Sequence, residues 1–180
     1  FRRSRGLGDV YKRQELMDRL QNQVPGYSMR MQEVTAAMLT PQIERLSTIK
    51  KIHVDNWELL HSLIHDHPNI EIPMPLPEVD PFCDTMQFHL VGLSRDEADR
   101  FIDLMKQEGI PMQIFGARRN ARDFRHWEYI KAHQDELNET IANIEFACDL
   151  SMQPHLTQEN IRIMAQVIQD VLTYIGEQAH

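Results

Sequence analysis

The stretch Thr85-Met86-Gln87-Phe88-His89-Leu90-Val91-Gly92-Leu93-Ser94-Arg95-Asp96-Glu97-Ala98 changes its period partway along, and that change decides the fold class. Met86, Phe88 and Leu90 alternate with Thr85, Gln87 and His89, so residues 85–93 are expected to form a strand with one buried face. Ser94 and Glu97 then stand three apart, the spacing of a capping box. The helix they open carries Ala98, Phe101, Ile102 and Met105 on one stripe. Gly109 closes it, Pro111 forbids its continuation, and residues 112–115 read as a second short strand. Strand, helix, strand is the signature of a mixed α/β layer.

Upstream, Val34, Ala37, Met38, Leu46, Ile49, Trp57, Leu60 and Ile64 recur at three- and four-residue steps. Residues 32–67 are therefore expected to be a long helical connector, split or kinked at Pro41. Pro68, Pro73, Pro75, Pro77 and Pro81 make the next segment extended, with edge pairing at best. Downstream, residues 116–127 are polar and arginine-rich. A helix is expected over about 137–148, with Ile141 and Ile144 inward. Thr157 caps the last helix, whose stripe is Ile161, Met164, Ala165, Ile168, Val171, Leu172 and Ile175, with Gly176 at the place of a C-terminal cap. Residues 68–180 thus read as one small α/β domain.

Composition narrows the function. The net charge is −8, but residues 1–14 carry Arg2, Arg3, Arg5, Lys12 and Arg13 against Asp9, leaving the remainder at −12 with 14 basic and 26 acidic residues. So acidic a body is a poor partner for nucleic acid, whose phosphates supply most of the affinity. No apolar run approaches the roughly 20 residues that a membrane span needs. Cys83 and Cys148 have no CxxC spacing and read as reduced thiols of a cytoplasmic protein. The opening FRRSRGLGDVYKRQ has neither apolar period. It resembles a translated sequencing adapter, which would make residues 1–14 an artefact on a protein truncated upstream; a basic arm that binds anions or lipid is the other reading.

Three stretches share an order with a known family. Gly26-Tyr27-Ser28-Met29-Arg30-Met31-Gln32-Glu33, with Ala36-Ala37 and Gln42-Ile43-Glu44-Arg45-Leu46, resembles the G-x-N-x-R-M-x-E-x-x-A-A…Q-L-x-x-L segment of the DegT/StrS sugar aminotransferases. Residues 93–110 are similar to that family's helix ending in "GI", and Cys148 to Thr157 to its "LSLPxHPxLT" element.

The resemblance implies the C-terminal portion of a fold-type-I enzyme dependent on pyridoxal phosphate, with residues 15–31 ending a cofactor domain. It implies amino transfer from an amino acid, glutamate foremost, to a keto sugar, free or nucleotide-linked. It also implies a homodimer. The cofactor lysine would lie upstream, so the chain alone would be inactive and no catalytic residue is expected within it. Ser28 stands where the family has an asparagine that reaches the neighbouring protomer's cofactor phosphate; a hydroxyl offers one donor rather than two. Arg30 matches the motif's arginine and would bind phosphate or, alternatively, pair with Glu33. Where the family places a tyrosine- and histidine-bearing stretch, this chain has Arg118, Arg119, Arg122 and Arg125 among Phe124 and Trp127. Arg118 and Arg122 would clamp a substrate anion, or the loop is a solvated offset to the acidic body. A dehydratase of the same family and a non-catalytic interaction domain are the rival functions. His61 and His65, four apart, have the spacing of two metal ligands but lack a third, so no metal site is expected.

Overall fold

The computed structural model describes residues 31–117 and 123–178, the side chains of 133–135 excepted. Helix α1 (Glu33–Glu44) and helix α2 (Leu46–Ile64) meet end to end. The break is at Arg45 rather than Pro41, which sits inside α1. A proline removes one N–H, but the residues after it can still bond backwards, and here the turn tightens only when the Arg45 N–H reaches the Gln42 carbonyl at 3.1 Å. No residue of α1 is buried, and Val34, Met38 and Leu46 are exposed, so the expected stripe on this segment has nothing to pack on among the described residues. Burial starts in α2, at His53, Asn56, Leu60 and Ile64. Two of these are polar, and Asn56 is accommodated because its Nδ2 donates to the Leu156 carbonyl at 3.1 Å.

Strand β1 (Ile70–Glu71), strand β2 (Thr85–Leu90), strand β3 (Met112–Ile114) and strand β4 (Ala147–Ser151) form one antiparallel sheet in the order β1-β2-β4-β3. The proline-rich segment contributes only its first residues, as an edge pair. Between β2 and β3 runs helix α3 (Arg95–Gln107), opened by Ser94 and Glu97 as a reciprocal capping box. It closes with Gly109 at φ +80, the Gly109 N–H reaching Lys106 and the Ile110 N–H reaching Met105. That pair of bonds satisfies carbonyls the helix end would otherwise orphan.

The last strand in sequence is central in space. β4 lies between β2 and β3, and its residues Ala147, Cys148, Asp149 and Leu150 are all buried. The expected helix over 137–148 therefore ends early, as helix α4 (Asn138–Glu145), with Ile141 and Ile144 only half-buried. A strand covered on both faces carries no alternation, which is why its pattern reads as helix.

Two cross-sheet rows face the core, Met86–Leu150–Met112 and Phe88–Cys148–Ile114. Above them helix α5 (Gln158–Gln178) packs against α2 and α3 with all seven expected stripe residues buried. Thr157 caps α5, its Oγ1 accepting from the Asn160 N–H at 3.2 Å. Gly176 is not the cap: the helix runs past it to Gln178.

Candidate functional site

The arginine-rich loop leaves the sheet at the end of β3, and both of its stems are built. At the first stem Phe115 N–H donates to Ala147 O at 2.9 Å and Gly116 N–H to Ile144 O at 2.8 Å. A Cβ at Gly116 would lie 2.8 Å from that same carbonyl, so only glycine allows the approach. At the second stem Asp123, 1% exposed, accepts from Arg125 Nε at 2.9 Å and from Nη2 at 2.6 Å. Arg125 Nη2 also donates to Gly116 O at 2.8 Å, tying the two stems together. Burial alone would push the Asp123 carboxyl up, but the hydrogen bonds and charge of Arg125 outweigh it and hold it below the ordinary range. Buried Phe124 and the stacked rings of Trp127 and Tyr129 continue the second stem.

Arg125, one of the four loop arginines, thus has a structural task, which neither expected reading of the loop anticipated. The only sequence signal was an Asp two residues before an Arg, common on any surface. Ser28, Arg30, Arg118 and Arg122 lie outside the described residues.

The face of the sheet opposite the core is polar. Thr85, Gln87 and His89 project from β2, and Gln113 Nε2 donates to buried Asp149 Oδ2 at 3.3 Å. On the outward side of α2, Trp57, His61 and His65 stack in sequence, at 5.0 Å and then 5.1 Å between ring centroids. Cys148 is fully buried and burial pushes its thiol far up, so it is inert packing.

A lysine that holds pyridoxal phosphate must be unpaired, shielded from water and faced by phosphate donors. Lys50 is paired with Asp80, Lys51 with Asp55, and Lys106 and Lys131 are exposed. The described residues therefore do not make a cofactor site by themselves.

The fold is shared with solved enzymes. A Streptococcus pneumoniae protein described as a sugar aminotransferase aligns in its apo form with a TM-score of 0.71 and 15% identity, over 87% of this chain and 39% of that one. Its form with pyridoxal phosphate gives 0.69 and 13%, over 96% and 46%. The Helicobacter pylori aminotransferase involved in the biosynthesis of pseudoaminic acid gives 0.68 and 11%, over 83% and 39%. This chain spans less than half the length of each. No match was found among curated protein sequences. The fold class is that of the small α/β domain of these transferases. The chain belongs to the DegT/DnrJ/EryC1/StrS aminotransferase family, whose sequence model matches residues 5–169. No helix among the described residues is long and apolar enough to cross a membrane.

Proposed function

We propose that this chain is the C-terminal part of a cytoplasmic, homodimeric sugar aminotransferase that uses pyridoxal phosphate to move an amino group from an amino acid, glutamate foremost, to a keto sugar. In this reading the residues up to 31 end the cofactor domain, 32–67 connect, and 68–180 form the small domain. The family match over residues 5–169 carries it, and the fold shared with the Streptococcus pneumoniae protein supports it. Ser28 and Arg30 serve the cofactor phosphate, and Arg118 and Arg122 the substrate's anionic group. The lysine comes from outside the chain, so the chain alone is inactive.

The test is to express the complete gene. The expected result is a yellow protein whose visible absorption borohydride removes, with the modified lysine mapping before Glu15 and with amino transfer from glutamate to a keto sugar. A histidine at that position would turn the reading to a dehydratase. A colourless protein without either residue would leave only a non-catalytic role.

A further inference from the structure

A histidine ring closes the turn that carries the chain from α2 into β1. The backbone N–H of Asn69 donates to His67 Nδ1 at 3.2 Å. A backbone amide can only donate, so the nitrogen that receives it holds no proton and the ring keeps its one proton on Nε2. The backbone of the same residue closes the turn on both sides: its N–H donates to Ile64 O at 3.1 Å, and its carbonyl accepts from the Ile70 N–H at 3.0 Å.

What the ring holds is a clamp on the edge of the sheet. Asn69 Nδ2 donates to Val91 O at 2.8 Å, and the Val91 N–H donates to Asn69 O at 2.9 Å, a two-bond bridge to the end of β2. Directly beyond it β1 pairs with β2 through Ile70 with Leu90 and Glu71 with His89, and Ile70 is buried. β1 is only two residues long and lies at the sheet edge, so its pairing depends on what fixes its ends. At this end the fixing is Asn69, held by His67 on one side and by Val91 on the other.

A proton on Nδ1 would set a donor against the Asn69 donor, so protonation and this hydrogen bond exclude each other. Burial acts in the same direction and pushes His67 below the ordinary histidine range. The titratable groups about the turn are His61 and His65 from α2 and its end, Asp66 in the turn, Glu71 on β1 and His89 opposite it on β2. His61, stacked on His65, is lowered by burial and then by His65. His65 is arranged the opposite way. Its ring nitrogens face the His61 carbonyl and the Asp66 carboxylate, each at 3.1 Å and each an acceptor, so a second proton costs it neither contact. From α5 the neutral amide of Gln169 meets this end of α2, donating to Leu63 O at 2.6 Å.

We propose that His67 is a proton-sensitive clamp: gain of a proton at Nδ1 releases Asn69, and the edge strand β1 then parts from β2. With its folded value depressed, His67 stabilises the closed turn above the unfolded histidine's pKa of about 6.5, and that contribution is lost as pH falls through the lower folded value. Parting of β1 leaves the β2 edge with open backbone donors and acceptors, an edge able to pair with another strand.

The test is amide hydrogen exchange, followed by NMR on the full chain at about pH 7.5 and about pH 5.5, a window in which Asp66 and Glu71 stay ionised. Protection factors remove the intrinsic pH dependence of exchange. The Asn69 and Val91 amides report the clamp, and the Gly116 amide, bonded to Ile144 O beyond the opposite edge strand, is the internal control. Protection of Asn69 and Val91 should fall about tenfold at the lower pH, the loss of one hydrogen bond, while Gly116 holds. His67→Asn supplies a side-chain oxygen that accepts from the amide two residues on and does not titrate, so both amides should stay protected at both pH values. His67→Ala should show the low protection at both. His61→Gln, His65→Gln and His89→Gln should each keep the parent's pH response. Protection that does not change with pH, an equal fall at Gly116, or a response that persists in His67→Asn would overturn the proposal. Loss of the response in one of the other three variants would assign the switch to that histidine and overturn it as well.

Discussion

Arg125 and Asp123 form a two-pronged ion pair in which the carboxylate is 1% exposed and the guanidinium, through the same Nη2, also holds the Gly116 carbonyl at 2.8 Å. A pair of this kind closes the arginine loop independently of what its tip binds. The order of removal matters, because a buried carboxylate without its partner is worse than no carboxylate. Arg125→Ala is expected to cost about 2–3 kcal/mol in urea unfolding, below the value for a fully buried pair because a third of the Arg125 side chain meets solvent. The double variant Asp123→Ala/Arg125→Ala should be more stable than Arg125→Ala alone. Equal or lower stability would show that the pair does not carry the loop closure.

The same pair fixes a pH dependence. With its folded value depressed, Asp123 favours the native state above the unfolded carboxylate's pKa of about 4, and that contribution fades as pH falls through the lower folded value. Unfolding free energies measured from pH 7 down to about 3 should therefore fall less for Asp123→Asn than for the parent chain. Parallel curves would mean that Arg125 does not perturb the carboxyl.

Gly116 is the other half of that closure. Its substitution by alanine would put Cβ 2.8 Å from Ile144 O and 2.9 Å from Glu145 Cα, both backbone, so α4 and β3 must separate. A loss of about 1–3 kcal/mol is expected, read as a lowered thermal midpoint. An unchanged midpoint would mean that the stem adjusts freely.

These features were only partly legible in the sequence, and the division follows locality. The capping box of Ser94 and Glu97, the terminator Gly109 and the α5 stripe depend on neighbours three to five residues apart, so pattern alone finds them. β4 depends on β2 and β3, dozens of residues away, and its burial on both faces removes the alternation that marks a strand. The exposed apolar residues of α1 mislead for the complementary reason: periodicity reports which face is apolar, not whether anything covers it. Of the candidate site, the loop's composition was visible, whereas the Arg125–Asp123–Gly116 closure joins residues only the fold brings together.

The core assignment has a direct test within one helix. Ile168, on the inward stripe of α5, is fully buried, while Ile163 is about half exposed. Truncation to alanine should cost about 2–5 kcal/mol at Ile168 and less than about 1 kcal/mol at Ile163. Similar losses at the two positions would reject the packing of α5 described above.

The cofactor assignment at residue 28 is testable in the complete enzyme. An asparagine offers two N–H donors on a longer arm where serine offers one hydroxyl. Under the proposed cross-protomer role, Ser28→Asn should slow loss of the cofactor on dialysis about tenfold, a gain of about 1.4 kcal/mol. An unaltered rate would place residue 28 away from the phosphate.

Two glycines that look alike in sequence should respond with opposite signs. Gly109 holds φ +80 at the end of α3, where any side chain meets the left-handed penalty, so Gly109→Ala should cost about 1 kcal/mol even though nothing lies within 4 Å of its Cβ position. Gly176 also has open space around it but sits inside α5, one residue after buried Ile175. There alanine removes backbone freedom from the unfolded chain and adds helix propensity, so Gly176→Ala should stabilise by about 0.5–1 kcal/mol. Thermal melts of the two variants separate the roles: a loss at both positions would return Gly176 to the cap that its place in the sequence suggested, and a gain at both would remove the turn from Gly109.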